Sequence, residues 1–106
     1  MARKIVWTES AWNDLEGVAN FISRDSPYYA GALVREARAT ARSLGQLSTR
    51  GRVVPEIADI GIREMIVQSY RMIYRVEKSR VAILAFIHGA RDLRALWVKR
   101  MVVSIT

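Results

Sequence analysis

Two basic segments hold the side chains that could do chemistry. The first runs from Ser69 to Val76 and the second from His88 to Asp92. In the first, strand alternation places Arg71 and Arg75 on one face, either as a solvated basic face or as a binding surface. In the second, His88 supplies an imidazole, a side chain that can either donate or accept a proton near neutral pH. A hydrogen-bonded structural histidine at a strand end fits the same position, so both interpretations stay open.

A metal-free reaction on RNA is the chemistry that such residues could support. The 2′-hydroxyl supplies its own nucleophile, so the protein needs a base, an acid and cations that stabilise the developing charge. The candidate set is Arg63, Arg71, His88 and Arg91, if the strands bring them together. Arg91 next to Asp92 is equally consistent with an ion pair or helix cap and with an anion clamp.

Metal and cofactor chemistry find little support in the sequence. The chain has no cysteine, one histidine and ten scattered acidic residues. It contains no glycine-rich phosphate loop and no H-E-x-x-H motif, and its carboxylates are not paired within one strand or loop. We therefore expect no metal site and no cofactor.

The elements that must position these residues begin with a strand and a helix. The β-branched and aromatic run Ile5–Trp7 favours a short strand. Thr8 or Ser10 can then cap a helix, because a side-chain oxygen there accepts a hydrogen bond from an otherwise unpaired N–H. Apolar residues spaced three and four apart form the expected buried stripe of this helix, namely Trp12, Leu15, Val18, Ala19 and Ile22.

A second helix completes a predicted helical hairpin. Ser26-Pro27 is typical of a helix start, since serine caps and proline at the first position lacks an N–H that would have no partner anyway. An apolar face continues from Ala30 to Leu44, and Gly45 is expected to end the helix in the left-handed conformation. Three arginines share another face, typical of a solvated row: Arg35, Arg38 and Arg42.

After this hairpin the apolar period changes to two. Residues 46–60 lack a sustained period and are predicted to be a loop. Alternation predicts strands over Ile62–Val67, Tyr70–Glu77 and Arg80–His88. The uninterrupted apolar run Val81–Ile87 indicates a central strand buried on both faces. Because short links force antiparallel neighbours, the prediction is an α+β fold of order β-α-α-β-β-β, a helical hairpin packed on an antiparallel sheet.

The C-terminal segment, residues 95–106, is predicted to be an extension of this single domain, which comprises residues 1–106. Asp92 can cap a helix there, while Met101–Ile105 is more typical of a strand or an unrestrained tail. The apolar positions of such a helix would be Leu93, Leu96 and Trp97.

Charge points to polyanionic or acidic partners. The 106 residues carry a formal net charge of +7, and 51% of them are hydrophobic, which is enough for a compact core. Residues 1–49 hold six basic and five acidic side chains, whereas residues 50–106 hold eleven and five. Such a basic half attracts nucleic acid, a ribosome or an acidic protein. No apolar run approaches the roughly 20 residues of a membrane span, so we expect a cytoplasmic protein with no membrane partner.

Four segments together resemble the RelE/ParE toxin superfamily, the toxins of bacterial type II toxin–antitoxin modules, often described as plasmid stabilisation proteins. They occur in order and with matching spacing over about residues 3–94: Ala11–Leu15, Ser26-Pro27, Tyr70–Val76 and His88–Leu93. The resemblance implies a helical hairpin on an antiparallel sheet, in agreement with the pattern above. It also implies a cognate antitoxin whose C-terminal segment covers the basic surface of the toxin.

The resemblance allows two activities. In the RelE-like branch, which cuts mRNA at the ribosome, Arg71, His88 and Arg91 would be catalytic. The tyrosine that some of these members place six residues beyond the second arginine is Trp97 here, which can stack on a base but has no phenolic proton. The ParE-like branch poisons DNA gyrase through a protein contact, and the His-Gly-x-Arg-Asp wording is closer to it.

We therefore expect a growth-inhibiting ParE-like toxin that targets DNA gyrase. The alternatives are a ribosome-dependent mRNA endoribonuclease and a non-toxic basic nucleic-acid-binding module. Apolar Trp97 and Val102 are candidate anchors for an antitoxin. The expected target-binding residues are Arg63, Arg71, Arg75, Arg91, Arg94 and Trp97.

Overall fold

The computed structural model describes the backbone of residues 2–105 and the side chains of residues 2–100. The elements follow one another as β1 (Lys4–Trp7), α1 (Glu9–Ser23), α2 (Pro27–Ser43), β2 (Arg52–Val53), β3 (Ile62–Val67), β4 (Tyr70–Val76), β5 (Arg80–His88) and α3 (Leu93–Ile105). The predicted α+β order β-α-α-β-β-β is confirmed, with one short strand and one helix added. None of the helices within residues 2–105 is long and apolar enough to cross a membrane.

Both helices of the hairpin begin at the predicted caps. The Thr8 hydroxyl oxygen accepts a hydrogen bond from the Ala11 N–H at 3.1 Å, and the Ser26 hydroxyl oxygen accepts one from the Tyr29 N–H. The buried stripe of α1 differs from the prediction at its start. Ala11 is fully buried there, whereas the Trp12 residue is 38% exposed. The Trp12 ring instead lies edge to face against the ring of Trp7, with the two centroids 5.8 Å apart.

Gly45 follows α2 for a different reason than predicted. No glycine among residues 2–105 has a positive φ, and α2 ends with Leu44 in the right-handed conformation. A Cβ on Gly45 would lie 2.9 Å from the carbonyl oxygen of Arg3, whose own N–H donates to the Gly45 carbonyl at 2.8 Å. The glycine is therefore needed for close backbone approach to the start of β1, and the expectation of a left-handed end is wrong.

The sheet has the strand order β1-β5-β4-β3-β2. Strands β3, β4 and β5 form the predicted antiparallel meander. Strand β5 is buried on both faces as predicted, but β4 is the middle strand of the sheet, and β5 lies between β1 and β4 only in its first half. Strand β1 pairs with β5 in parallel, so the complete sheet is mixed. Strand β2 lies within the segment predicted to be a loop, and that expectation is corrected. Two residues are too few to show a period, and only pairing with β3 defines this strand.

Each face of the sheet carries its own core. The hairpin face packs under α1 and α2, with Leu15, Leu33, Met72, Tyr74 and Phe86 among its buried residues. The α3 face, on the other side, is covered by α3 and the segment after β2, with Ile62, Ile73, Ile87, Leu93 and Leu96 among its buried residues. A residue on β4 can therefore be assigned to one face by its position in the alternation.

Helix α3 covers the second face. The Asp92 carboxylate accepts from the Ala95 N–H at 3.2 Å, which confirms the predicted cap. The helix continues through Met101–Ile105, so the expectation of a strand or free tail there is wrong. Its buried residues Leu93 and Leu96 pack on the sheet, and this packing outweighs the low helix propensity of the valines that follow. The side chain of Val102 lies outside the described residues.

The second half of β5 has no neighbouring strand on its β1 side, because β1 ends at Trp7. Two charged side chains occupy the backbone groups of that edge. The Asp14 carboxylate of α1 accepts from the Phe86 N–H at 3.0 Å. Arg100 of α3 donates to the Leu84 carbonyl at 2.8 Å and also to both oxygens of Asp14. The ion pair between Asp14 and Arg100 thus connects α1, on one face of the sheet, with α3, on the other face, across the unpaired edge of β5.

Candidate functional site

The β4 motif alternates as predicted. Opposite β3, Ile73 faces Glu64 and Arg71 faces Ile66, while Tyr74 faces Arg63. Ile73 belongs to the core of the α3 face and Tyr74 to the core of the hairpin face. Arg71 and Arg75 consequently share the α3 face.

Arg71 is buried in an ion-pair network, with only 7% of the residue exposed. Its Nε donates to Glu64 Oε1 at 2.6 Å, and its two terminal nitrogens donate to both oxygens of Glu56 at 2.8 and 2.9 Å. Glu64, with no exposed side-chain surface, also accepts from Arg52 Nε at 2.6 Å. Every charge in this network is therefore met by an opposite charge.

The electrostatics follow from these contacts. The pKa of Glu56 is lowered to about 2, chiefly by its hydrogen bonds to Arg71. Desolvation opposes this shift, and the charges of Arg71 and Arg94 contribute to it. Hydrogen bonding to Glu56 and then to Glu64 raises the pKa of Arg71. Arg71 is thus permanently charged and already engaged by two carboxylates. A phosphate could reach it only by displacing Glu56, whose side chain is 29% exposed.

The network gives the fold a pH dependence of defined direction. A carboxyl whose pKa is lowered on folding adds stability above its unfolded value, near 4.5 for Glu56, and this contribution is lost as pH falls through about 2. We expect the urea midpoint to decline from about pH 5 to about pH 3, and to decline less in the Glu56→Gln variant. Fluorescence-monitored unfolding measures both slopes. Equal slopes would show that Glu56 is not coupled to folding.

Arg63 lies on the other face of the sheet. It is opposite Tyr74 on the hairpin face and donates to the carbonyl oxygens of Gly51, at 2.9 Å, and Thr49, at 3.4 Å. Within one strand, residues an even number of positions apart share a face. Arg63 and Arg71 lie on different strands, so the register of β3 against β4 determines their faces instead. The expectation that Arg63 joins Arg71 in one cationic patch is therefore wrong.

Beside Arg63, the buried hydroxyl of Tyr74 holds the segment before β2. It accepts from the Gly51 N–H at 2.9 Å and donates to the Ser48 carbonyl at 2.8 Å, and burial raises the pKa of the phenol. Tyr74→Phe leaves both backbone groups without this partner, so we expect a loss of about 1–3 kcal/mol in the free energy of unfolding. Chemical denaturation measures it, with Tyr28→Phe, an exposed tyrosine, as the control. Similar losses in both variants would contradict the bridging role.

His88 lies on the hairpin face, away from Arg71. It is opposite Tyr70 on β4. The imidazole and the Tyr70 ring are nearly perpendicular, with their centroids 5.6 Å apart. Its Nδ1 accepts from the Ala90 N–H at 3.1 Å, and its carbonyl accepts from the Arg91 N–H at 3.0 Å. His88 therefore organises the turn after β5. Both His88 and Arg91 are exposed, but the sheet separates the imidazole from the Arg71 guanidinium.

Helix α3 brings two more of the predicted residues to the α3 face. Arg94 is exposed and near enough to Glu56 to lower its pKa, and half-buried Trp97 packs against the core of that face. Arg75, also exposed, lies on the same face along β4. The structure thus collects Arg71, Arg75, Arg94 and Trp97 on one side.

Sequence reasoning missed the two carboxylates that engage Arg71. Glu64 lies between Ile62 and Ile66 in the strand alternation, so the sequence already places a carboxylate on an otherwise apolar face. A carboxylate in such a position needs a buried cation as its partner, and this was the available signal. Glu56 carries no such signal, because it lies in an irregular segment whose path depends on β2. The candidate site is therefore an ion-pair network in which carboxylates neutralise Arg71, with the exposed Arg75 and Arg94 on the same face.

Comparisons with known proteins agree with this fold. Residues 5–93 match the family described as ParE toxin of type II toxin–antitoxin system, parDE. Toxin RelE2 of Caulobacter vibrioides is 32% identical over 89 residues, which cover 83% of this chain and 97% of that protein.

Two solved structures share the architecture. A chain of the chromosomal ParDE system from P. aeruginosa superposes with a TM-score of 0.68 at 20% identity, covering 82% of this chain and 96% of that one. A chain of the RelBE2 toxin–antitoxin complex from Mycobacterium tuberculosis superposes with a TM-score of 0.56 at 22% identity, covering 83% and 99%. With the family match over most of the chain, these findings show that the protein belongs to the ParE toxin family of type II toxin–antitoxin systems, within the RelE/ParE toxins.

Proposed function

We propose that this toxin arrests bacterial growth through a protein contact with DNA gyrase in the cytoplasm, and that a cognate antitoxin neutralises it. The family supports the role of toxin. The names of its relatives divide between ParE and RelE, so the choice of target rests on the arrangement of the arginines.

The engagement of Arg71 by Glu64 and Glu56 is the observation that carries the choice. A ribonuclease mechanism needs a cation free to hold the phosphorane charge and an acid–base group beside it. Here the Arg71 guanidinium is matched by two carboxylates, and His88 lies on the opposite face of the sheet. A protein contact needs no such assembled set, and exposed Arg75 and Arg94 remain to provide it on the α3 face.

The antitoxin part of the proposal follows from the relatives and from charge. The Mycobacterium tuberculosis relative is a toxin–antitoxin complex, and the P. aeruginosa relative belongs to a toxin–antitoxin system. Residues 50–106 of this chain carry eleven basic and five acidic side chains. An acidic partner segment gains association rate and specificity from such a surface.

The test compares two target assays with the purified toxin. We expect it to inhibit supercoiling by gyrase and to leave mRNA on translating ribosomes uncut. In cells, a DNA damage response should precede any arrest of translation. The variant His88→Ala removes an exposed group that the ribonuclease needs and the gyrase contact does not, and we expect it to stop growth as the unchanged toxin does.

Three outcomes would contradict the proposal. Cleavage of mRNA at ribosomes with normal supercoiling would assign the RelE-like activity, as would loss of toxicity in the folded His88→Ala variant. Normal growth with confirmed folded toxin in the cell would favour a non-toxic nucleic-acid-binding module. That module predicts direct binding to nucleic acid with an affinity that falls steeply with salt.

A further inference from the structure

The turn between the two helices of the hairpin carries exposed aromatic side chains. Phe21, near the end of α1, is 66% exposed, and Tyr28 and Tyr29, at the start of α2, are 74% and 66% exposed. The rings of Tyr28 and Tyr29 lie edge to face with their centroids 5.5 Å apart. At a rise of about 1.5 Å per residue, all three lie within one helical turn of the connection. We call this end of the hairpin, residues 21–29, the hairpin tip.

The aromatic surface of the hairpin tip is large for so short a segment. An aromatic side chain has about 150–250 Å² to bury. At the exposed fractions above, the three side chains leave roughly 300–500 Å² accessible, which is the size of the largest apolar patch on a typical monomer and is often functional. Two such patches in contact would bury roughly 600–1,000 Å² in total, so the expected association is weak and reversible.

The hairpin tip is also electrically neutral and carries both signs of charge. Arg24 and Asp25 are adjacent in the connection and both are exposed. Residues 17–31 hold no other charged side chain, although the chain has a net charge of +7. The Arg24 guanidinium lies 5.9 Å from the centre of the Phe21 ring, and none of the ion pairs within residues 2–100 includes Arg24 or Asp25. A neutral surface of this kind does not repel a second copy of itself, unlike the basic residues 50–106.

We propose that two copies of this chain associate through their hairpin tips. Around a two-fold axis the same surface is used twice, so Arg24 of each copy faces Asp25 of the other. The aromatic side chains around these two ion pairs exclude water from them. A nucleic acid fits the hairpin tip less well, because a neutral surface offers no excess cation to the phosphates. The association involves this chain alone, so its test does not depend on whether gyrase is the target.

Sedimentation equilibrium of the purified toxin measures the association. We expect a monomer–dimer equilibrium with a dissociation constant of about 10–100 μM. Tyr28→Ser/Tyr29→Ser should weaken it about tenfold or more, because these side chains supply most of the apolar contact. The matched control is Ile60→Ser, which removes an exposed apolar side chain outside the hairpin and should change the constant by less than about threefold. Circular dichroism establishes that each variant is folded.

Charge exchange tests how the two copies face each other. Arg24→Asp brings only carboxylates together at the two-fold axis, and Asp25→Arg brings only guanidinium groups together. Each variant alone should therefore dimerise about tenfold more weakly or worse. An equimolar mixture of the two restores opposite charges at both positions, and we expect its association to lie within about threefold of the unchanged chain. A fluorescent label on one variant identifies the mixed dimer.

The position of the interface has its own readout. In nuclear magnetic resonance spectra, the amide signals of residues 21–29 should shift as the protein concentration rises, whereas those of α3 should not. The same signals should stay in place in Tyr28→Ser/Tyr29→Ser over the same range of concentration.

Each contrary result overturns the proposal. These results are a monomer at every concentration up to about 1 mM, equal dimerisation of Tyr28→Ser/Tyr29→Ser and Ile60→Ser, a mixture no tighter than its two components, and concentration-dependent shifts confined to another surface. If the chain is monomeric and the folded Tyr28→Ser/Tyr29→Ser variant no longer inhibits gyrase, the hairpin tip belongs to the gyrase contact instead. If the monomer binds a ten-residue oligouridylate and this variant does not, the hairpin tip binds single-stranded RNA.

Discussion

Gly51→Ala is expected to destabilise the toxin by about 3 kcal/mol or more, because the added Cβ has no room. It would overlap the Glu64 carbonyl oxygen, and it would lie 3.0 Å from the Glu64 carbonyl carbon and 2.6 Å from the Tyr74 hydroxyl. Two of these atoms are backbone of β3 and cannot turn aside. Relief requires β2 to separate from β3, which also breaks the hydrogen bonds of the Tyr74 hydroxyl and the Arg63 contact to Gly51.

Urea denaturation measures this loss, and Gly17→Ala is its control. Gly17 lies on the exposed side of α1, and a Cβ there would meet nothing within 4 Å. Alanine should stabilise the helix at that position by about 0.5–1 kcal/mol. The two glycine substitutions should therefore change stability in opposite directions. A Gly51→Ala variant as stable as the Gly17→Ala variant would show that the approach of β2 to β3 is not tight.

Glu64→Gln is expected to cost about 3–5 kcal/mol, because it leaves a buried guanidinium short of a counter-charge. The amide oxygen can still accept one hydrogen bond, but it carries no charge, and Glu56 alone then neutralises Arg71. For a chain of this size, such a loss lowers the melting temperature by roughly 10 °C or more. Calorimetry measures it, with Glu36→Gln as the control. Glu36 is an exposed carboxylate that accepts from Gln68, and its replacement should stay within about 0.5 kcal/mol.

The double variant Glu64→Leu/Arg71→Leu distinguishes a role of Arg71 in stabilising the fold from a direct role in toxicity. Replacing both members of a buried pair with apolar side chains removes the unpaired charge, so we expect it to recover much of the stability lost in Glu64→Gln. If Arg71 serves only to organise the fold, this variant still stops growth. A folded double variant that has lost its toxicity would instead give Arg71 a direct part in the activity. Equal destabilisation in the single and double variants would contradict the burial argument.

The framework of the fold was predictable because its signals are local. The cap at Thr8, the start at Ser26-Pro27 and the alternation around Arg71 each depend on a few neighbouring residues, and the structure confirms them. Strand β2 has too few residues to carry such a signal. The role of Gly45 depends on Arg3, a residue far away in the chain, and no local pattern reports that contact.

The candidate site was harder to predict because its geometry depends on register and on partners. Alternation assigned Arg71 and Arg75 to one face, but the pairing of β3 with β4 determined that Arg63 faces the other way. A count of the basic residues in the sequence also does not show which of them are paired with carboxylates. Arg71 is matched by Glu64, seven residues away in the chain, and by Glu56, fifteen residues away. A net charge of +7 thus overstates the cations available to a ligand.

The contacts of Asp14 and Arg100 along β5 have a consequence for solubility. An unpaired strand edge presents a template on which another chain can assemble, and natural proteins block such edges with charged side chains. Here the Asp14 carboxylate occupies the Phe86 N–H and Arg100 occupies the Leu84 carbonyl. With these two groups occupied, another copy of the chain cannot pair edge to edge with β5 at these positions, so the most apolar strand of the fold is a poor template for aggregation.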